Sequence, residues 1–150
     1  MAVKAALLFE VSGNNYAIPL LHTDFVSIVK NTEIHQVGTS LFYDTGTEII
    51  PTIHLSEYFS KDSSHGDLNN LKKEKLDIIV ISYNSRKAGL IVDKFLRQQD
   101  IVVKALHEPV QNHELFGGVT LLGNGEICLV LDVPAIIKNL KLKSNTFVKA

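Results

Sequence analysis

The sequence predicts a mainly β domain of two small barrels packed together, with short helices added, one of them at the C-terminus. Three features carry this reading. Short apolar runs recur with Gly, Asn, Asp or Ser between them, the spacing of strands and turns. A stretch near the middle returns near the end. Glu48-Ile49-Ile50-Pro51-Thr52-Ile53-His54-Leu55-Ser56-Glu57-Tyr58-Phe59 aligns without gaps on Glu126-Ile127-Cys128-Leu129-Val130-Leu131-Asp132-Val133-Pro134-Ala135-Ile136-Ile137. Each reads as a strand followed by one amphipathic turn. The hairpins that open the two halves match as well, with Ser12-Gly13-Asn14-Asn15 in one and Asn84-Ser85-Arg86-Lys87 in the other. One plan used twice predicts barrels at about residues 5–59 and 76–138, a linker at 60–75 and a tail at 139–150, within a single domain 1–150. Neither half is long enough to build a large core alone, so the two should share one and fold together.

The elements follow in order. Leu7-Leu8-Phe9-Glu10-Val11 and Tyr16-Ala17-Ile18-Pro19 are strands around a turn whose Gly and Asn tolerate positive φ. Pro19 lacks a ladder donor and belongs at a strand end or edge. Residues 22–29 fit either a helical turn leading into a strand or a strand alone. Ile34 to Tyr43 holds a strand interrupted by Gly38, and Asp44-Thr45-Gly46-Thr47 is the next turn. Glu48 to Ile53 is a strand, and Leu55 to Phe59 a helical turn with Ser56 as its expected cap. Residues 60–75 are polar and should be exposed and mobile. Leu76 to Tyr83 is continuously apolar, as in a strand buried on both faces. After the turn at Asn84, a long strand runs from Ala88 through Phe95 towards Gln99, and Ile101 begins another. Residues 105–115 form a loop. Val119 to Leu122 and Ile127 to Leu131 make a hairpin across Gly123-Asn124-Gly125. Asp132 caps a last helix with Pro134 in its first turn, expected to fray near Asn139 to Lys143.

Composition excludes several function classes. A chain of 150 residues that is 45% hydrophobic and 21% charged is globular rather than disordered. A net charge of −1 supplies no basic field for nucleic-acid phosphates. No apolar run approaches the roughly 20 residues that span a bilayer, and Glu10 breaks the first apolar stretch, against a signal peptide. The single cysteine, Cys128, sits in an apolar run and reads as a small buried hydrophobe. Together these point to a soluble cytoplasmic protein.

Residues 88–137 carry a family resemblance. Gly89-Leu90-Ile91-Val92-Asp93, then Gln98-Gln99-Asp100 and a Val-rich strand ending at Lys104, precede a second block. That block runs from Gly118 through Gly123 and Gly125 to Asp132-Val133-Pro134. This order resembles the CheW-like regulatory domain of the bacterial chemotaxis kinase CheA. Tyr16-Ala17-Ile18-Pro19 and Leu55-Ser56-Glu57-Tyr58-Phe59 are similar to earlier motifs of that family. The adaptor CheW usually carries Asn-Leu-Arg-Gly before the strand that here follows Thr39-Ser40-Leu41-Phe42-Tyr43-Asp44, a stretch without Arg. The resemblance therefore leans to the kinase branch, with a free-standing adaptor as the alternative. It implies two five-stranded SH3-like barrels with a shared core and a non-catalytic scaffolding role. The partners it implies are the adaptor CheW or homologous CheW-like domains, the cytoplasmic tips of chemoreceptors, and the kinase domain of a parent protein. It implies no cofactor, no nucleic acid and no direct insertion into a membrane.

Catalytic groups are sought without result. The six histidines, His22, His35, His54, His65, His107 and His113, form no i, i+4 pair and no His-x-His. His107, Glu108, His113 and Glu114 share a loop and read as solvated residues. Gly123-Asn124-Gly125 lacks the third Gly and the following helix of a nucleotide loop. Asp93 and Asp132 lie at strand ends, and an N-cap role accounts for Asp132. The aromatics Tyr16, Phe25, Phe42, Tyr43, Phe59 and Phe95 fall mostly in apolar runs, as core residues do, and Lys72, Lys73 and Lys75 are offset by Glu74. No metal site and no catalytic residue is expected, and a small hydrolase or metal enzyme lacks its motif. The candidate site is instead a partner surface. Between Val37 and Ile53, Leu41 and Phe42 are neighbours, as are Ile49 and Ile50, and strand side chains alternate. About half of this set must face outward, so Leu41, Phe42, Ile49 and Ile50 are the expected adaptor-binding set.

Overall fold

The computed structural model describes residues 3–60, 73–107 and 113–148, with the backbone alone at 113 and 141–148. The strands are β1 Val3–Val11, β2 Asn14–Pro19, β3 Thr23–Lys30, β4 Ile34–Val37, β5 Ser40–Asp44 and β6 Ile49–His54. Then come β7 Lys75–Tyr83, β8 Arg86–Val92, β9 Lys94–Val102, β10 Phe116–Leu121 and β11 Ile127–Leu131. Helix α1, Leu55–Phe59, follows β6, and α2, Val133–Val148, follows β11. The chain is mainly β with few helices, as expected. Two sheets form, in the orders β10-β11-β2-β1-β9 and β3-β7-β8-β6-β5-β4.

The sheets are not divided at residues 60–75. Hairpin β1–β2 joins β9, β10 and β11, and hairpin β7–β8 lies among β3, β4, β5 and β6. Each half has thus given its hairpin to the other. The turns explain why the hairpins move as units. Ser12 and Gly13 have φ of 51° and 81°, and Asn84 and Ser85 have φ of 52° and 63°. Two-residue turns with both φ positive match the twist of the strands they join. Each tight pair then offers two edges to partners from elsewhere in the chain. Ala17 on β2 lies opposite Leu8 and, across the parallel pairing with β11, opposite Val130. Gly89 on β8 lies opposite Val80 and, across the parallel pairing with β6, opposite Thr52. Thr52 and Val130 are the residues that the gapless repeat superimposes, so the same local plan is built twice.

Closure differs between the sheets. Lys104 and Val119 exchange two backbone hydrogen bonds of 2.8 Å, which join the far end of β9 to β10 and close the five-stranded sheet on itself. In the other sheet the three-residue 3-10 turn Asn31–Glu33 links the two edge strands, β3 and β4. This unit has six strands rather than the expected five. Gly38, at φ 62°, breaks the ambiguous run from Ile34 to Tyr43 into β4 and β5.

Three apolar clusters follow from strand alternation. Leu8, Ala17 and Cys128 point into the five-stranded sheet, and Ile50, Ile78 and Val80 into the six-stranded one. Phe9, Ile18, Ile79, Ile81 and Leu90 meet between the sheets, covered by Leu55 of α1 and Ile136 of α2. Ile78, Ile79, Val80 and Ile81 are all 0% exposed, so β7 is buried on both faces as its sequence requires.

Several boundaries move. Asn14 and Asn15 belong to β2 rather than to the first turn. Residues 22–29 resolve as a 3-10 turn, Leu20–His22, leading into β3. The strand break expected after Gln99 falls at Asp93, where the chain leaves one sheet for the other, and β9 is continuous from Lys94. Carboxylates hold this crossing. Asp93 accepts from the Ser12 N–H at 2.7 Å, and Asp77 accepts from the Phe95 N–H at 2.9 Å. Asp132 caps α2 through the Ala135 N–H at 3.0 Å. That helix continues to Val148 where fraying near Asn139 was expected. The cap position of α1 is His54, and Ser56 lies inside the first turn. Of the expected linker, residues 61–72 lie outside the described residues, and Lys75 already belongs to β7. Of the loop at 105–115, residues 108–112 lie outside them too, and His113–Leu115 form a 3-10 turn.

Hairpin exchange makes the halves interdependent. A polypeptide of residues 1–60 retains β1 without β9 and β3 without β7. It should show no cooperative thermal transition by circular dichroism, and a sharp transition would refute the shared fold.

Candidate functional site

The outer face of β4, β5 and β6 is set by the turn between β5 and β6. Gly46 donates its N–H to the Asp44 carboxylate at 2.8 Å, and the Thr45 and Glu48 N–H groups bond to Glu48 O and Thr45 Oγ1, both at 3.0 Å. This pins the register, with Asp44 opposite Ile49, Tyr43 opposite Ile50 and Phe42 opposite Pro51. Side-chain alternation then decides which residues leave the core. Tyr43 and Ile50 are buried in the inner cluster, and Leu41 packs partly against it. Ile49 is 62% exposed, Pro51 is exposed and Phe42 half-buried on the opposite face. Pro51 fits because the parallel pairing with β8 starts only at Thr52, so its missing N–H is not needed there. His35 on β4 stands opposite Phe42, and Val37, 68% exposed, opposite Ser40.

Two of the four expected surface residues, Phe42 and Ile49, thus lie outward. Ile50, 1% exposed, is a core residue, and Leu41 packs partly against the same cluster. Pro51, which completes the outer strip, was missed. Its signal was the proline itself, since an edge-tolerant residue in a strand marks backbone facing away from a ladder. At one end of this face Lys87 Nζ bridges Glu48 at 3.1 Å and Asp24 at 3.3 Å. Its hydrogen bonds to those carboxylates raise its pKa above the ordinary lysine value. The matching position in the other half repeats the tie, where Asn15 donates to Glu126 at 2.9 Å.

Several of the remaining candidate groups have structural roles. His54 ends β6, is 6% exposed, and its Nδ1 lies 2.7 Å from Ser56 Oγ. It lines a cleft of 420 Å³ with Glu10, Lys73, Asp93 and Lys94. Burial holds its pKa below the ordinary value, against the opposing pull of Glu57 and Asp93. His22 meets Tyr83 edge-on, with ring centres 5.5 Å apart. His65 and Glu108 lie outside the described residues, as does the side chain of His113. Among the described residues no three His, Cys, Asp or Glu side chains converge on a metal site. Gly123-Asn124-Gly125 is a hairpin turn, closed by the Gly125 N–H on Leu122 O at 2.9 Å. Tyr16 packs against Phe59 at 4.9 Å and Phe9 at 6.0 Å, which makes these aromatics core members rather than a stacking platform. Cys128 is fully buried, and burial, then the nearby Glu126, push its pKa up to about 11. No helix of the described residues is long and apolar enough to cross a membrane.

The CheW-like domain family matches residues 5–141. The chain is 28% identical over 137 residues to the chemotaxis protein CheA of Bacillus subtilis, covering 91% of this chain and 20% of that protein. It is 28% identical over 152 residues to the sensor histidine kinase CheAY of Helicobacter pylori, covering 97% of this chain and 18% of that protein. The chain therefore spans about a fifth of the length of these relatives. The crystal structure of the scaffolding protein TtCheW from Thermoanaerobacter tengcongensis has the same fold, with a TM-score of 0.63 at 19% identity over 87% of this chain and 90% of that one.

Two outcomes follow from burial. The folded state resists protonating His54, whereas the unfolded chain titrates near 6.5. The stability tied to neutral His54 is therefore full above that pH and lost as pH falls below it. Denaturant midpoints should drop between pH 7 and 5, and His54→Gln should flatten that slope. Cys128 should resist a thiol reagent at pH 8 in the native protein and react at once in denaturant. Equal rates would refute its burial.

Proposed function

This chain belongs to the CheW-like domain family, and we propose that it is a non-catalytic regulatory and scaffolding domain of bacterial chemotaxis, coupling a histidine kinase to chemoreceptors by binding the adaptor CheW. The observation that carries this reading is the outward strip of Ile49, Phe42 and Pro51, fixed by a hydrogen-bonded turn and backed by a buried core. An apolar strip on a rigid sheet suits docking, because little ordering is needed when a partner covers it. The nearby charged groups, Lys87 with Glu48 and Asp24, satisfy each other. In this reading the partners are CheW or homologous CheW-like domains, the cytoplasmic tips of chemoreceptors and the kinase domain of the parent protein. The domain works in the cytoplasm, held at receptor arrays through those partners. Receptor state would reach the kinase as a population shift within a shared assembly.

A second reading, a free-standing CheW-type adaptor that bridges kinase and receptors itself, is favoured by the match to TtCheW over 90% of that protein. The curated relatives, of which this chain is a fifth, favour the kinase branch. The reading frame of the native gene separates the two, since only the first places an ATP-binding domain on the same polypeptide.

Alanine substitutions test the surface. Ile49→Ala and Phe42→Ala should weaken CheW binding, by about 2 kcal/mol where the residue is an anchor, with Ile49→Ala melting as the parent does. Ile50→Ala should instead cost about 2–5 kcal/mol of stability, as for a large-to-small change in a core. Calorimetric titration and thermal melts read both. Unchanged affinity in Ile49→Ala and Phe42→Ala would remove this face as the docking site.

A further inference from the structure

The cleft at His54 lies where the chain crosses between the two sheets. One side belongs to the six-stranded sheet, with Leu76 of β7, Ile91 of β8 and His54 at the end of β6. The other side is the crossing itself, with Glu10 near the end of β1, then Asp93 and Lys94. Backbone bonds fix that crossing. The Asp93 N–H donates to the Glu10 carbonyl at 3.0 Å, and one Asp93 carboxylate oxygen accepts from the Ser12 N–H. A volume of 420 Å³ falls within the range of small-molecule pockets, roughly 300–1,000 Å³.

Two features separate this cleft from a solvated groove. The first is His54, which is only 6% exposed and whose Nδ1 is taken by Ser56 Oγ. Nε2 has no hydrogen-bond partner among the described residues, and none of their polar side-chain atoms is both sealed from solvent and unpartnered. Nε2 therefore opens on the cleft, a polar atom on a buried ring, and such atoms ordinarily have a partner. The second is charge. Lys73 and Lys94 line the cleft together with Glu10 and Asp93, yet among the described residues no ion pair joins any of these four. Burial keeps the imidazole neutral at pH 7. Two positive and two negative groups thus surround an uncharged hydrogen-bonding centre.

We propose that this cleft binds a small zwitterion of the free amino acid class, an ammonium and a carboxylate on one carbon with a short apolar side chain. The carboxylate meets Lys73 and Lys94. The ammonium meets Glu10 and the Asp93 oxygen that Ser12 leaves free. Nε2 of His54 bonds to the polar head, and the apolar side chain lies against Leu76 and Ile91. A simple anion would face Glu10 and Asp93 as like charges, and a simple cation would face Lys73 and Lys94, both of which are costly. Charge balance therefore selects a ligand that carries both signs. His54 is at the opposite end of β6 from Ile49, so this site is separate from the docking strip and does not rest on it.

Titration with L-leucine, followed by two-dimensional NMR, tests the site. L-leucinamide and N-acetyl-L-leucine serve as probes that carry one charge each. Leucine should shift the His54 ring signal and the amides of Asp93 and Lys94 along a saturable curve, and both single-charge probes should bind several-fold more weakly. Glu10→Gln and Lys94→Gln should each weaken leucine several-fold while their circular dichroism spectra match the parent's. Leucine should also raise the melting temperature, because only the folded chain has the cleft. No saturable shift up to the solubility limit of leucine overturns the proposal. So do single-charge probes that bind as tightly as leucine, or a leucine affinity that neither variant lowers.

Discussion

Everything in this fold depends on the exchange of two hairpins. A hairpin with a two-residue turn is locally determined, but an isolated pair of strands is marginal in water and needs further strands beside it. Hairpin β1–β2 finds them in β9 and β11, and β7–β8 finds them in β3 and β6. Each pairing buries one face of the hairpin inside its own sheet and turns the other towards the opposite sheet. Leu8 and Phe9 on β1, and Val80 and Ile79 on β7, show this division. The central cluster exists because both hairpins present apolar residues on both faces.

Close backbone approach follows from the same arrangement. A Cβ on Gly89 would stand 2.7 Å from Thr52 Oγ1 and 2.9 Å from Ile78 Cδ1, so β6 can lie beside β8 only where a side chain is missing. At Gly118 a Cβ would meet Val103 Cγ1 at 2.7 Å and the carbonyl of Lys104, the group that accepts from Val119 in closing the five-stranded sheet. These two glycines belong to the stretch that carries the family resemblance. Their place in that pattern has a packing cause, which is independent of any ligand.

What could be read from the sequence was local. The hairpin turns, the apolar centre of β7, the cap at Asp132 and the repeat of 48–59 at 126–137 rest on neighbouring residues, and all are present in the fold. Partner choice was not legible, because the pairing of β2 with β11 joins residues far apart and leaves no trace in period or turn chemistry. The site shows the same limit on a smaller scale. Alternation required half of Leu41, Phe42, Ile49 and Ile50 to face outward. Which half depended on the register that Asp44 and Gly46 impose, and that is a matter of hydrogen-bond geometry. Asp93 could likewise be placed at a strand end, but its bond from the Ser12 N–H, where the chain changes sheets, joins residues far apart and left no signal.

The pairing of β1 with β9 sets Val3 beside Val102. During synthesis, the first strand therefore leaves the ribosome long before its neighbour has been made. Contacts this remote in sequence slow folding, since the intervening chain must be ordered before they form. Until then the β1–β2 hairpin shows two unfilled edges and an apolar face on each side, the profile of a nascent chain that benefits from a chaperone. The order of translation, and not only the final packing, thus bears on how much functional protein a cell obtains.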